Sequence, residues 1–167
     1  MSLSLISSLT RRFPSHADAI RLLAFKISTP MLAWTAPKVV SITSTESVLR
    51  VPLTLRTKNG WGTMFFAAIA TGIDLTGGWC SFAAAEKHNV GVLYKDVSIQ
   101  FKRRVDGDLT LISRNNKAIT EACEEAAKTG LRINVPVEIE GYCYDTFGDV
   151  KPVVTAQATL SMKVILK

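Results

Sequence analysis

Two hydrophobic rhythms run along this chain, and the switches between them divide it into elements. From His16 to Ile27, the apolar residues Ala19, Ile20, Leu22, Leu23 and Ile27 recur at helical spacing, with Arg21 and Lys26 on the other face. This predicts an N-terminal helix. Pro30 and Pro37 bracket a short apolar piece holding Met31, Leu32 and Trp34, expected to turn and pack onto the domain. Val39–Ser44 is short and β-branched. Leu49, Val51, Leu53 and Leu55 then alternate with Arg50, Pro52, Thr54 and Arg56, the period of a strand with one polar face. Proline has no N–H to give to a ladder, so Pro52 predicts an edge strand or a position near the strand's start. Thr57-Lys58-Asn59-Gly60 breaks the pattern, and a long apolar run extends from Met64 to Ala85. Its length and its alanines predict a helix, apolar nearly all round and therefore buried on most sides.

Period two returns at Val97, Ile99 and Phe101. Val105-Asp106-Gly107-Asp108 reads as a hairpin turn with Asp-Gly at its centre, and Leu109 and Leu111 as the return strand. Asn115–Lys128 predicts a short amphipathic helix ending before Gly130. Two clear alternating strands close the chain, Ile133–Glu140 and Val154–Leu166, with Phe147-Gly148-Asp149 as their hairpin. A nearly all-apolar helix among antiparallel strands is best satisfied by a curved sheet wrapped around it. The expected class is α+β, with an N-terminal helical extension over residues 1–37 and one domain over 38–167.

Composition changes this picture little. The chain has 167 residues, 47% of them hydrophobic and 20% charged, within the range of one soluble domain that needs neither disulfide nor metal to fold. The net charge of +6 is concentrated: residues 1–60 hold eight basic and two acidic side chains, while residues 61–167 hold twelve of each. That asymmetry points to an anionic partner, either a phosphate-bearing ligand or a membrane surface. Cys80, Cys123 and Cys143 include no CxxC pair and suit reduced thiols in a cytoplasmic protein. His16 and His88 are too far apart in sequence to suggest a metal site, and no metal is expected. Arg11 and Arg12 follow the apolar start instead of preceding it, the reverse of a secretory signal; the Arg-rich, acid-poor stretch to Lys26 also fits a transit segment, a reading kept second. Asp74 in the middle of the long apolar run argues for a buried helix over a membrane span. Nucleic-acid binding is not expected, because the basic residues are not interleaved with aromatics.

The element order, together with Thr57–Phe65, Val97–Phe101 with Gly107-Asp108, and the closing strand Val153–Leu166, resembles the hotdog-fold superfamily. The closest likeness is to its acyl-CoA thioesterase branch and the related domain of unknown function 4442 group, over roughly residues 38–166. Members of that branch place an Asn or Gln before the central helix, a His-Gly-Gly-like segment at its start and an acid about two turns inside. Asn59 and, fifteen residues later, Asp74 fall on the first and last of these. Phe65, Phe66 and Ala67 stand where His-Gly-Gly would, and Gly78 stands where a Ser or Thr is common. The resemblance implies a homodimer or dimer of dimers acting on an acyl-CoA or acyl-carrier thioester, with coenzyme A as part of the substrate and no separate cofactor.

Each candidate also has a plainer reading. Asp74 is either the general base or nucleophile, or a helix residue at a dimer contact. Phe66 and Ala67 would offer backbone N–H groups to an oxyanion, as the start of any helix can. Asn59 would hold water or the carboxylate, or simply shape a turn. Lys102, Arg103 and Arg104 would meet the phosphates of coenzyme A, or form a solvated strand end. Trp61, Met64, Phe65, Phe66 and Trp79 would line an acyl tunnel, or belong to the core. Neither the cysteines nor His88 suggest catalysis, and without a His between His16 and His88 the dehydratase chemistry of the same fold is disfavoured. The alternative to a thioesterase is a non-catalytic acyl-CoA-binding or regulatory protein. A third possibility is a partner-binding domain with no small ligand.

Overall fold

The computed structural model describes residues 3–144 and 151–165. Helix α1 (Leu3–Arg12), a 3-10 turn (Pro14–His16), α2 (Ala17–Ser28) and α3 (Pro30–Thr35) precede the first strand. Strands β1 (Lys38–Ile42) and β2 (Ser47–Val51) lead to the long helix α4 (Phe66–His88). Then follow β3 (Val90–Phe101), β4 (Leu109–Ser113), α5 (Asn116–Thr129), β5 (Ile133–Tyr142) and β6 (Val154–Val164). The six strands form one curved antiparallel sheet in the order β1-β2-β4-β5-β6-β3, with α4 packed along it. This is the expected α+β arrangement, a sheet around a central helix.

Three details differ from the sequence expectations. β2 stops at Val51, so Pro52 lies just beyond the strand's end; β2 itself is interior, between β1 and β4. Pro52 has no N–H to continue the ladder, and the next donor, the N–H of Leu53, bonds the Asp108 carboxylate at 2.8 Å instead. Leu55 is consequently 94% exposed. The second difference is at Val105–Asp108, which is not a hairpin. β3 pairs with β6, and β4 pairs with β2 and β5, so the chain crosses from an edge to the interior of the sheet. The Asp-Gly signal is local and says nothing about which strands become neighbours. The third is the length of β3, which begins at Val90 and carries a bulge between Tyr94 and Asp96. The turn expected at Phe147-Gly148-Asp149 lies outside the described residues.

The core has two parts. The larger lies between α4, α5 and the sheet, around Ile73, Leu109, Leu111, Ile119 and Leu160. Gly72 lets α4 approach closely there: a Cβ at that position would come within 2.5 Å of the Leu111 side chain and 2.7 Å of Val51. The smaller part joins α2 and α3 to the other flank of α4 through Leu22, Phe25, Leu32, Leu75, Trp79 and Phe82. At its C-terminus α4 is stopped by Asn89, whose left-handed conformation (φ 54°) ends the helix and turns the chain into β3.

Candidate functional site

The loop before α4 is held by its own backbone and short polar side chains. Thr57 is buried, its hydroxyl donating to the Pro52 carbonyl at 2.7 Å, and its own carbonyl accepts the N–H of Phe65 at 2.7 Å. Asn59 commits its amide to the same loop. Its Oδ1 accepts the N–H groups of Trp61 (2.9 Å) and Thr63 (3.2 Å), and its Nδ2 donates to the Thr63 hydroxyl at 2.8 Å. This is the turn-shaping geometry of an Asx residue.

The helix starts immediately after the loop. Phe65 is the N-cap, in an extended conformation, and no side chain caps the helix. Phe66 and Ala67 are thus the first two helical residues, whose N–H groups have no acceptor within an α-helix. Phe66 is exposed, and its ring meets that of Phe101 edge-to-face at 6.2 Å. At the end of β3, the N–H groups of Lys102 and Arg103 both donate to the Val153 carbonyl, which turns the chain back toward this helix start. Lys102 also bonds Gln100, and Arg104 pairs with Asp106 at 3.3 Å. Asn59, Phe66, Phe101 and the three cations Lys102, Arg103 and Arg104 line one open cleft of about 330 Å³. Five of the residues singled out in the sequence, from two distant segments, therefore meet in one place.

Asp74 does not lie in that cleft. It is exposed on α4, in contrast to the buried carboxylate its apolar surroundings suggested. Partial desolvation by the neighbouring apolar surface still pushes its carboxyl above the usual carboxylate range. Eight residues separate it from Phe66 in the helix, about 12 Å at the usual helical rise. Ala67, Thr71, Asp74 and Gly78 share one side of α4 by their spacing.

Tyr94, which the sequence did not single out, sits beneath this side. Its hydroxyl donates to the carbonyl of Asp74 at 2.8 Å and lies 3.4 Å from that of Ile73. Gly77 makes the approach possible, because a Cβ there would come within 2.5 Å of the Tyr94 oxygen. Burial, and then the charge of Asp74, push the phenol's ionisation up, so Tyr94 acts as a neutral donor. Only a contact between a strand residue and a helix carbonyl reveals it, and no local pattern carries that signal.

The aromatic and methionine stripe divides. Met64 belongs to the larger core and Trp79 to the smaller one, while Trp61, Phe65 and Phe66 are exposed. The thiols are poor nucleophiles: burial pushes Cys80 up to about 12 and Cys123 up to about 11, and raises Cys143 as well. Among the described residues no group of three His, Cys, Asp or Glu side chains could hold a metal ion, and no helix is long and apolar enough to cross a membrane.

The model of the family described as Domain of unknown function (DUF4442) matches residues 18–162. No protein of curated function matches the sequence. Among solved structures, a Chlorobaculum tepidum protein with unknown function is similar with a TM-score of 0.76 at 12% identity, covering 91% of this chain and 97% of that one. A Pseudomonas aeruginosa protein of unknown function, named a probable thioesterase, has a TM-score of 0.69 at 17% identity, covering 83% and 89%. A thioesterase family protein from Silicibacter pomeroyi has a TM-score of 0.62 at 13% identity, covering 89% and 99%. At these identities the structural likeness speaks for the fold alone. With most of its length matched by one family model and its sheet wrapped on α4 as in those structures, the chain has the hotdog fold and belongs to the DUF4442 family.

Proposed function

We propose that the protein hydrolyses the thioester of an acyl-CoA or acyl-carrier substrate. The observation that supports this most is the cleft in which an uncapped helix start meets three consecutive cations. A thioester carbonyl needs donors where its oxyanion develops, and the N–H groups of Phe66 and Ala67 have the right chemistry for that. A phosphate-bearing carrier needs cations nearby, which Lys102, Arg103 and Arg104 would provide.

The remaining requirement is a base or nucleophile. Asp74 lies about 12 Å from its own helix start, too far to act on a carbonyl held there. A second copy of the chain would bring its own Asp74 to the cleft, which is the arrangement the family resemblance implies. β3 gives such a pairing a physical motive. It is a twelve-residue edge strand bonded on one side only, and it exposes Leu93, Val97 and Phe101. In a homodimer, Asp74 from one protomer would activate water or attack directly, while the other protomer holds the carbonyl. The three free thiols suit a cytoplasmic setting.

A second reading has its own observation. Phe65 and Phe66 are bulky and exposed at the carbonyl position, which favours a protein that binds acyl-CoA without turning it over. One experiment separates the two: hydrolysis of acyl-CoAs of graded chain length, read as free thiol, with Asp74→Asn alongside. Turnover that collapses in the variant supports the enzyme. No turnover, with acyl-CoAs still raising the melting temperature, supports the binder. Neither turnover nor a thermal shift rejects both.

A further inference from the structure

The helices before β1 break a rule of surface helices. On α2, Leu22, Ala24 and Phe25 face inward, so the opposite side is expected to be polar. That side instead carries Ala19, Leu23 and Ile27, each four residues from the last and therefore stacked in one solvent-facing stripe. Leu23 and Ile27 are each 59% exposed. One residue past α2, the short α3 exposes Met31 and Trp34 while burying Leu32. The charges along this stretch are mostly basic. Between residues 11 and 38 there are five basic residues, Arg11, Arg12, Arg21, Lys26 and Lys38, and one acid, Asp18. That acid is engaged by Arg21 at 3.5 Å and by the Trp79 indole at 3.3 Å. The Trp34 indole N–H donates to the Arg56 carbonyl at 3.1 Å, and the Arg56 guanidinium lies 5.4 Å from the ring centre.

We infer that this helical surface docks peripherally on an anionic lipid bilayer. Leu23, Ile27, Met31 and Trp34 enter the boundary between headgroups and acyl chains, and Arg11, Arg12, Lys26 and Lys38 meet lipid phosphates. The combination selects this occupant over the others. An acidic protein surface would account for the cations and leave the apolar stripe unexplained. A second copy of this chain would cover the stripe but bring like charges together. A bilayer with anionic headgroups satisfies both features together, and an amphipathic indole beside a guanidinium suits that boundary. The inference does not depend on thioesterase activity.

Vesicle sedimentation of the full chain tests it, comparing phosphatidylcholine vesicles with and without about 30 mol% phosphatidylglycerol at about 0.15 M salt. The expected result is partitioning at least about tenfold stronger onto the anionic vesicles, falling by about tenfold in Leu23→Glu/Ile27→Glu and by less in Lys26→Glu/Lys38→Glu. Circular dichroism and melting curves check that each variant is folded, and Leu23→Gln/Ile27→Gln replaces the glutamate pair should it unfold. Absence of binding to anionic vesicles overturns the inference, as does binding that both pairs retain. It is also overturned if the Leu23/Ile27 variant keeps vesicle binding but loses a dimer or larger assembly by light scattering, which would assign the stripe to a second copy.

Discussion

The two flanks of α4 have opposite fates. On one, Leu75 and Trp79 are buried by the chain's own N-terminal helices, with the Phe25 ring tilted against Phe82 at 4.1 Å and edge-on to Trp79 at 6.1 Å. On the other, Ala67, Thr71 and Asp74 are left partly or fully open, although the helix is apolar nearly all round. The sequence does not distinguish these flanks by hydrophobicity; what distinguishes them is what the chain provides to cover each. The sealed flank is where the protein's stability is expected to reside. The open flank, with the only charge on the helix before its last turn, is where function is expected.

Substitutions can test that division from both sides. The largest effect should come from the sealed flank. Trp79→Ala removes a side chain only 2% exposed and is expected to destabilise the protein by about 3–5 kcal/mol in denaturant unfolding. A loss under about 1 kcal/mol would mean that the N-terminal helices are loosely attached and the flanks are not so different.

On the open flank, Asp74→Asn should reduce acyl-CoA turnover by about 10²–10⁴-fold without destabilising the fold. The carboxyl's raised pKa fixes the sign of two pH effects. As a base it must be ionised, so activity falls on acidification through that raised value, at a higher pH than an ordinary aspartate would give. For stability the folded chain holds this proton more tightly than the unfolded chain does. Folding is therefore favoured below the window and loses that advantage as pH rises through it. The Asn variant should lack this dependence and melt slightly higher at neutral pH. A lower melting temperature instead would show that Asp74 has a structural partner.

Tyr94→Phe should do less. Losing one hydrogen bond to the Asp74 carbonyl is expected to cost about 0.5–1.5 kcal/mol of stability and to lower kcat modestly while KM is retained. A rise in KM alone would assign Tyr94 to substrate binding and not to positioning the helix. The smallest effect should be a gain. Ala36, which follows α3, is left-handed at φ 48°, so Ala36→Gly is expected to stabilise by about 1 kcal/mol in the same unfolding assay.

The order of elements was legible because each long segment keeps one period. α4 and α5 have helical lengths and composition, and β5 and β6 alternate without interruption. The first half of β3 was not legible, because Val92 and Tyr94 face the core at even positions while Ile99 does so at an odd one, the bulge having changed the phase between them. Asp74 was legible as chemistry, since a lone carboxylate in an apolar run is conspicuous, but its exposure depends on which elements pack beside α4. The meeting of Asn59 and Phe66 with Lys102–Arg104 follows from the pairing of β3 with β6 at the sheet's edge, which no local pattern encodes.

That bulge makes the cleft sensitive to residue count as well as residue identity. Beyond it, Ile99 and Phe101 point toward the helix, and Lys102 follows where the strand ends. Deleting Lys95, the unpaired residue of the bulge, would leave Val97, Ile99 and Phe101 on the face of Val92 and Tyr94, whereas inserting one more residue there would exchange the two faces of the strand from that point onward. With that insertion Phe101 would turn away from Phe66, and Gln100 would take its side. Substitutions change the side chains around the cleft one at a time, but a single-codon gain in the middle of β3 would rewrite the site in one step.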